Sequence, residues 1–343
     1  MRILGLGGAV PSVVQTNEDR LQMLMDANKD KEEGFRKKSL RMARAMLALS
    51  GARERRVCAP GESAYTLGLL SAERAFEMAG IDRQSIELII CASVARPYFE
   101  PSAGFIFGEA LGIDHAHAFD MSDACMSWLR AMYVAHGLLH SGQYKRIMII
   151  SAEFNAGFHK LDLSTIEDLE FTLPQLTIGE AATATILDAE GDPWPFWFFS
   201  SGGGNDLCKF PLPGAERWRA PGKPLLDPYR FYCHFGPMNE YTVAHFKGKF
   251  VPFFKRIRYE EGRPIDHAFT HASELTTWKR WAEEFDVVEQ FYSIYPRYGN
   301  CVGASVPITM YDKMMEGKLK QGDGCFVYVA SSGMSVGATH FKF

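Results

Sequence analysis

Three residues of types that can perform acyl chemistry stand at the ends of separate elements: Cys125, His271 and Asn300. Cys125 lies in Phe-Asp-Met-Ser-Asp-Ala-Cys-Met-Ser-Trp (119 to 128), an extended apolar approach and a small-residue turn before a long apolar helix. The N–H groups of a first helical turn lack intrahelical partners and carry partial positive charge. They favour thiolate over thiol and can hold a developing oxyanion. A cysteine so placed is a candidate nucleophile for acyl transfer through a thioester. On its own it would more often be a small buried apolar side chain. Its company changes the reading: His271 follows a short apolar strand in Ala-Phe-Thr-His-Ala-Ser-Glu, and Asn300 precedes another helix in Arg-Tyr-Gly-Asn-Cys-Val-Gly-Ala-Ser.

The elements that must position these residues come in two similar sets. A helix ending Ala-Phe-Glu-Met-Ala-Gly (75 to 80) leads into a strand over 86 to 93, and a helix over 251 to 257 leads into a strand over 265 to 271. From Cys125 a helix runs to Gly142, and from Asn300 another runs to Gly317, seventeen positions in both cases. Both glycines suit the left-handed residue that closes a helix. Strands over 146 to 151 and 325 to 331 come next. Short apolar strands alternating with helices predict sheets covered on both faces. Two α/β halves, 1–190 carrying Cys125 and 191–343 carrying His271 and Asn300, would bring Cys125 and Asn300 together as helix starts at a pseudo-twofold centre. His271 would arrive on the adjoining loop.

The 343 residues suffice for two domains or one large duplicated one. At 47% hydrophobic and 23% charged, with a formal net charge of −4, the chain has no general attraction to nucleic acid or membranes. Its seven scattered cysteines have neither metal-ligand nor disulfide spacing, which fits a reducing compartment. The opening Met-Arg-Ile-Leu-Gly-Leu-Gly-Gly is too short and glycine-rich for a signal peptide's apolar core, and no run reaches the length of a membrane span. A cytoplasmic location is expected.

At this point the residues resemble a known family, the thiolase-fold condensing enzymes, and within it β-ketoacyl-(acyl-carrier-protein) synthase III. The likeness runs over nearly the whole chain. It includes the opening strand with Val-Pro-Ser, Ser-Gly-Ala-Arg-Glu-Arg-Arg (50 to 56), Ala-Phe-Asp before Cys125, and Thr-Ile-Gly-Glu-Ala-Ala-Thr-Ala (177 to 184). Tyr-Gly-Asn with Ala-Ser-Val-Pro (298 to 307) and the closing Ser-Ser-Gly-Met-Ser-Val-Gly-Ala extend it. The resemblance implies a five-layered αβαβα sandwich of duplicated halves and a homodimer. It makes Cys125 the acylated nucleophile, with His271 and Asn300 completing the triad. The amides of Cys125 and Gly333 would form an oxyanion hole. His271 and Asn300 would polarise the second thioester and stabilise its enolate, with imidazole neutral and acting as a donor. No cofactor is expected to be bound; acyl-CoA or an acyl carrier protein, both phosphopantetheine thioesters, would supply the substrate.

The chain also departs from that pattern. Glu274 and Thr276 stand where the family has an asparagine and an arginine after the histidine, which puts the standard grip on coenzyme A in doubt. Asp123, two residues before Cys125, would raise the thiol pKa if it pointed inward. Arg-Pro-Tyr-Phe-Glu-Pro-Ser (96 to 102) resembles the segment that, in head-to-head condensing enzymes of olefin biosynthesis, carries a glutamate into the partner subunit's site. Glu100 would then be the base that removes an α-proton; a turn-capping or interface carboxylate is the equal alternative.

Basic residues crowd between Lys29 and Arg56. Arg36 and Arg53 are the candidates there for pantetheine phosphates or an acidic carrier protein, against a simply solvated helical face. The aromatic run Pro-Trp-Pro-Phe-Trp-Phe-Phe (193 to 199) reads as a buried strand rather than a ligand wall, and the glycine runs at 5 to 8 and 201 to 204 as turns. The expected activity is acylation of Cys125 from an acyl thioester, then Claisen condensation with a second, malonyl-type thioester. Non-decarboxylative joining of two acyl thioesters, acyl transfer to a hydroxyl or amine, and a catalytically silent subunit are the alternatives. The intact Cys, His and Asn argue against silence.

Overall fold

The computed structural model describes residues 1–154 and 160–343. In chain order the strands are β1 Arg2–Ala9, β2 Val13–Thr16, β3 Glu54–Val57, β4 Leu88–Ala92, β5 His117–Met121, β6 Arg146–Glu153 and β7 Ala181–Asp188. They continue with β8 Phe196–Ser200, β9 Cys208–Lys209, β10 Tyr232–Cys233, β11 His267–Thr270, β12 Phe291–Tyr292, β13 Gly324–Ser331 and β14 Ser335–Lys342. The α-helices are α1 Asn17–Ala27, α2 Glu33–Ser50, α3 Ala64–Ala79, α4 Ala103–Leu111, α5 Ser127–His140 and α6 Leu169–Thr177. After them come α7 Phe235–Thr242, α8 Gly248–Lys255, α9 Leu275–Glu284, α10 Tyr295–Tyr298 and α11 Ser305–Met315.

One five-stranded sheet has the order β1-β7-β6-β4-β5, and the other, taken from its far edge, β8-β14-β13-β11-β12. The pairings match position by position. In each sheet the first two contacts are antiparallel and the last two parallel. This is the internal duplication that the sequence predicts.

The period-two alternation of the strands separates the layers. In β4, Leu88, Ile90 and Ala92 enter the central core, whereas Ile89 and Cys91 face an outer core. In β13, Cys325, Val327 and Val329 enter the same central core and Phe326 and Tyr328 face the other outer one. The central layer is filled by α5 (Trp128, Leu129, Met132) and α11 (Val306, Met310). Outside the first sheet lie α3 and α4 through Ala72, Phe76 and Phe107, and outside the second lie α8 and α9 through Phe250, Phe254 and Trp278. The result is the expected five-layered αβαβα arrangement.

The aromatic run at 193 to 199 leads into β8, an edge strand that is half-buried and not the buried strand expected, with Phe196 and Phe198 on Tyr133 of α5, and Trp197 on Phe250. Gly142 and Gly317 have φ +74° and +69°, the left-handed stops expected of them. Among the described residues no helix is long and apolar enough to cross a membrane.

Candidate active site

Because β4, β5 and β6 run parallel, as do β11 and β13, their carboxyl ends deliver loops to the same side of each sheet, where open α/β sheets place ligands. Three candidate segments use those ends. Cys125 follows β5, His271 follows β11 directly, and Ser332 and Gly333 follow β13. Asn300 comes in beside Thr177 at the end of α6: its N–H donates to the Thr177 carbonyl at 2.9 Å, and its carbonyl accepts from Gly179 N–H at 3.1 Å.

A cavity of about 660 Å³ has Cys125, His271 and Asn300 together in its lining. The three residues singled out by their types therefore do converge. The thiol sits two residues before the first helical residue of α5, not at it, and Asn300 sits five before α11. In both places the chain makes a turn instead: Ala124 has φ +47° and Val302 φ +46°, left-handed values that side chains rarely adopt. Around Cys125 the turn is closed by Ser127, whose Oγ donates to the Ala124 carbonyl at 2.7 Å and accepts from Asp123 N–H at 2.9 Å.

Burial raises the Cys125 thiol pKa well above its ordinary value, with Cys208 and Glu153 adding to the effect and the Cys125 amide opposing it. The resting group is a neutral thiol. Asp123 contributes least, because its carboxylate turns away to Arg130 at 2.9 Å, and that guanidinium also lies 4.0 Å above the Phe198 ring.

His271 is buried, with Nδ1 sealed from solvent and without a hydrogen-bond partner among the described residues. Desolvation pushes its pKa down to about 4, so the imidazole is neutral through the physiological range. The unfolded chain, with a histidine pKa of about 6.5, binds the proton that the fold refuses, so stability falls as pH drops through the window from about 6.5 to 4. The wild-type protein should accordingly lose more stability between about pH 7 and 4.5 than His271→Gln does, as measured by chemical denaturation at both pH values. His136, also pushed down to about 4 by burial, is common to both chains and drops out of the difference. Equal losses would contradict the buried, neutral imidazole.

The Asn300 carboxamide is oriented by its own loop. Oδ1 accepts the Val302 N–H at 2.8 Å, which leaves the NH₂ end for the cavity. Neutral imidazole and a tethered amide are both groups that can donate to an oxyanion without gaining charge.

The walls above this floor are apolar: Met46 from α2, Leu173 from α6, Phe210, Phe231, Met238, and Trp278 and Trp281 from α9. A neighbouring groove of about 960 Å³ shares Lys209 and Phe210 with the cavity. The other sequence candidates lie elsewhere. Arg36 is half-buried on α2 and Arg53 exposed ahead of β3, and neither lines the cavity; its cationic lining is Lys209, Lys247 and Arg280. Within the basic cluster Arg55 is a core residue, donating to Asn17 Oδ1 at 2.8 Å and to the Gln15 carbonyl at 3.2 Å. Glu274, by contrast, does line the cavity, and it caps α9 by accepting from Thr276 and Thr277 N–H at 3.2 and 2.8 Å. Glu100 is exposed and outside the cavity of its own chain, next to Phe99, which is 93% exposed. Gly333 is exposed at φ +119°, immediately after the cavity-lining Ser331 and Ser332.

Sequence reasoning missed Glu153, a fully buried carboxylate at the end of β6 that touches both the 94–95 backbone and the Asn300 loop. The available signal was an acid closing an otherwise apolar strand, Ile-Met-Ile-Ile-Ser-Ala-Glu. All seven cysteines are free, and among the described residues no group of three or more His, Cys, Asp or Glu side chains could hold a metal ion.

Two family models match the chain: 3-oxoacyl-(acyl-carrier-protein) synthase III over residues 119–202 and the C-terminal part of the same family over 261–343. A β-ketoacyl-(acyl-carrier-protein) synthase III of Pseudoalteromonas atlantica is 27% identical, covering 97% of this chain and 97% of that protein. Among solved structures, OleA of Xanthomonas campestris has a TM-score of 0.80 at 21% identity, covering 99% of this chain and 98% of that one. The 3-oxoacyl-(acyl-carrier-protein) synthase III of Aquifex aeolicus has a TM-score of 0.79 at 19% identity, covering 100% and 99%.

Proposed function

For a chain that is 3-oxoacyl-(acyl-carrier-protein) synthase III-like and of thiolase fold, we propose a condensing acyltransferase that works through Cys125. The thiol attacks an acyl thioester supplied by coenzyme A or an acyl carrier protein; the acyl C–S bond to the donor breaks, one to Cys125 forms, and the donor leaves as a thiol. A malonyl-type thioester then loses CO₂, its enolate attacks the acyl carbon, the bond from that carbon to Cys125 breaks, and the sulfur leaves as thiolate and takes up a proton from solvent. His271 and Asn300 donate hydrogen bonds to the enolate oxygen, and the Cys125 and Gly333 amides to the oxyanion of the acyl group. The observation that carries this reading is one cavity whose lining includes the thiol, a neutral imidazole and a carboxamide tethered by its oxygen. The apolar walls suit a fatty acyl chain.

A second reading has its own support. Glu100 lies outside its own cavity, in a segment with Tyr98 57% and Phe99 93% exposed, which favours a homodimer in which the segment enters the partner's cavity. The adjoining groove offers space for a second chain. In that reading two acyl thioesters are joined without decarboxylation and Glu100 removes the α-proton. The two readings part on the second substrate. Purified protein given an acyl-CoA plus malonyl thioester should yield a β-ketoacyl thioester with release of CO₂, and Glu100→Gln should leave that activity in place. Product only from two simple acyl thioesters, abolished by Glu100→Gln, would replace the first reading by the second. An ester or amide without a β-keto group would sink both.

A further inference from the structure

We infer that Glu153 is a positioning residue for condensation: its carboxylate holds the Val302 turn, and through it the Asn300 carboxamide, against the Cys125 turn. This rests on the reading of Asn300 as an oxyanion donor given above.

Glu153 closes β6 and is fully buried. Its Oε1 accepts the N–H of Val94 at 3.0 Å and of Gly303 at 3.3 Å, and its Oε2 accepts the N–H of Ala95 at 3.3 Å. These donors belong to both halves of the molecule. Val94 and Ala95 begin the segment that runs from β4 to Glu100, and Gly303 lies three residues past Asn300. One side chain therefore ties the Asn300 loop to the end of the first sheet.

Val302 needs such a tie. At φ +46° a β-branched residue occupies a region that local forces disfavour, and such a conformation lasts only where the surroundings over-determine it. Its own N–H is held by Asn300 Oδ1 at 2.8 Å, and the following N–H by Glu153. Releasing the second anchor lets the turn relax, and the carboxamide orientation goes with it. The same patch supports the nucleophile. A Cβ built on Gly303 would lie 2.9 Å from Glu153 Oε1, 3.2 Å from Ser127 Cβ and 3.5 Å from the Ala124 carbonyl oxygen. The Asn300 loop thus rests on the Cys125 turn with the carboxylate between them, so closely that a methyl at 303 would have to push on the carboxylate.

The two half-reactions separate this role from general structural support. Acylation uses the Cys125 sulfur and amide, whereas condensation also needs Asn300. Glu153→Gln presents one acceptor oxygen and turns an NH₂ against at least one of the three backbone donors. Cys125 acylation by an acyl-CoA, followed by intact mass, should change far less than condensation, which falls about tenfold or more through kcat rather than KM. Val302→Gly, which takes the left-handed turn without strain, should restore part of the loss in the Glu153→Gln background. Equal loss of both half-reactions, undiminished condensation, or no rescue by glycine would overturn the inference. If Glu153→Gln does not accumulate as folded protein, Gly303→Ala presses on the same carboxylate and must give the same split. If the wild type never acylates Cys125, the catalytic reading fails on its own. Amide exchange then still decides about Glu153: faster at Val302 and Gly303 in Glu153→Gln supports the tether, and unchanged exchange removes it.

Discussion

Asn300→Ala should leave Cys125 able to take up an acyl group yet slow carbon–carbon bond formation by about 10²–10³-fold, the usual cost of removing one donor from an oxyanion site. The split follows from the geometry. The carboxamide is pinned by Val302 N–H through its oxygen, so its function toward the cavity is to donate. A donor of this kind is needed when negative charge develops on the second thioester and not when the first acyl group is loaded. Single-turnover measurements on pre-acylated protein isolate the second step. A parallel loss in the loading step would mean that Asn300 serves the fold instead of the enolate. His271 is held neutral by burial and in the proposed reaction shares this donor role, so a double variant should lose less than the product of the two single losses, as groups acting on one oxyanion do.

Cys125→Ala should abolish both steps, with product formation down by at least on the order of 10⁴-fold, since no covalent intermediate can form. Burial keeps the resting sulfur protonated, so loading requires the proton to leave as the acyl donor arrives. The burial responsible for this also fits the site for an acyl chain: the walls are aromatic and aliphatic side chains drawn from α2, α6 and α9. Steady-state assays with mass-spectrometric detection of product check the variant. Turnover within tenfold of wild type would place the nucleophile elsewhere, with Cys208 and Cys233, which line the same cavity, the first alternatives.

What the chain reveals before folding depends on whether a signal is local. The duplicated sheets are legible because β4, β6, β11 and β13 are short, nearly all apolar and bounded by turns, and because Gly142 and Gly317 mark two helix ends at one spacing. Cys125, His271 and Asn300 are legible because each stands where an element begins or ends. The start points shift by two and five residues from those expected, since Ala124 and Val302 adopt left-handed turns that no residue type there announces. Charge density gave no direction for the basic stretch: Arg36 is half-buried on α2 and Arg53 faces solvent, neither lining the cavity, while nearby Arg55 is core. Glu153 and the cavity walls escaped because they depend on segments far apart in the chain: Glu153 bonds to Gly303, and Met46 and Trp278 line one cavity.

In the proposed reaction the sulfur of Cys125 carries the acyl group, and every later step follows from that. Incubation of the purified protein with a fatty acyl-CoA in the absence of a second substrate, followed by intact mass and peptide mapping, measures this directly. The predicted result is one acyl increment per chain on the peptide containing Cys125, lost with hydroxylamine and absent from Cys125→Ala. An unmodified Cys125 peptide, or an increment that persists in Cys125→Ala, would contradict it.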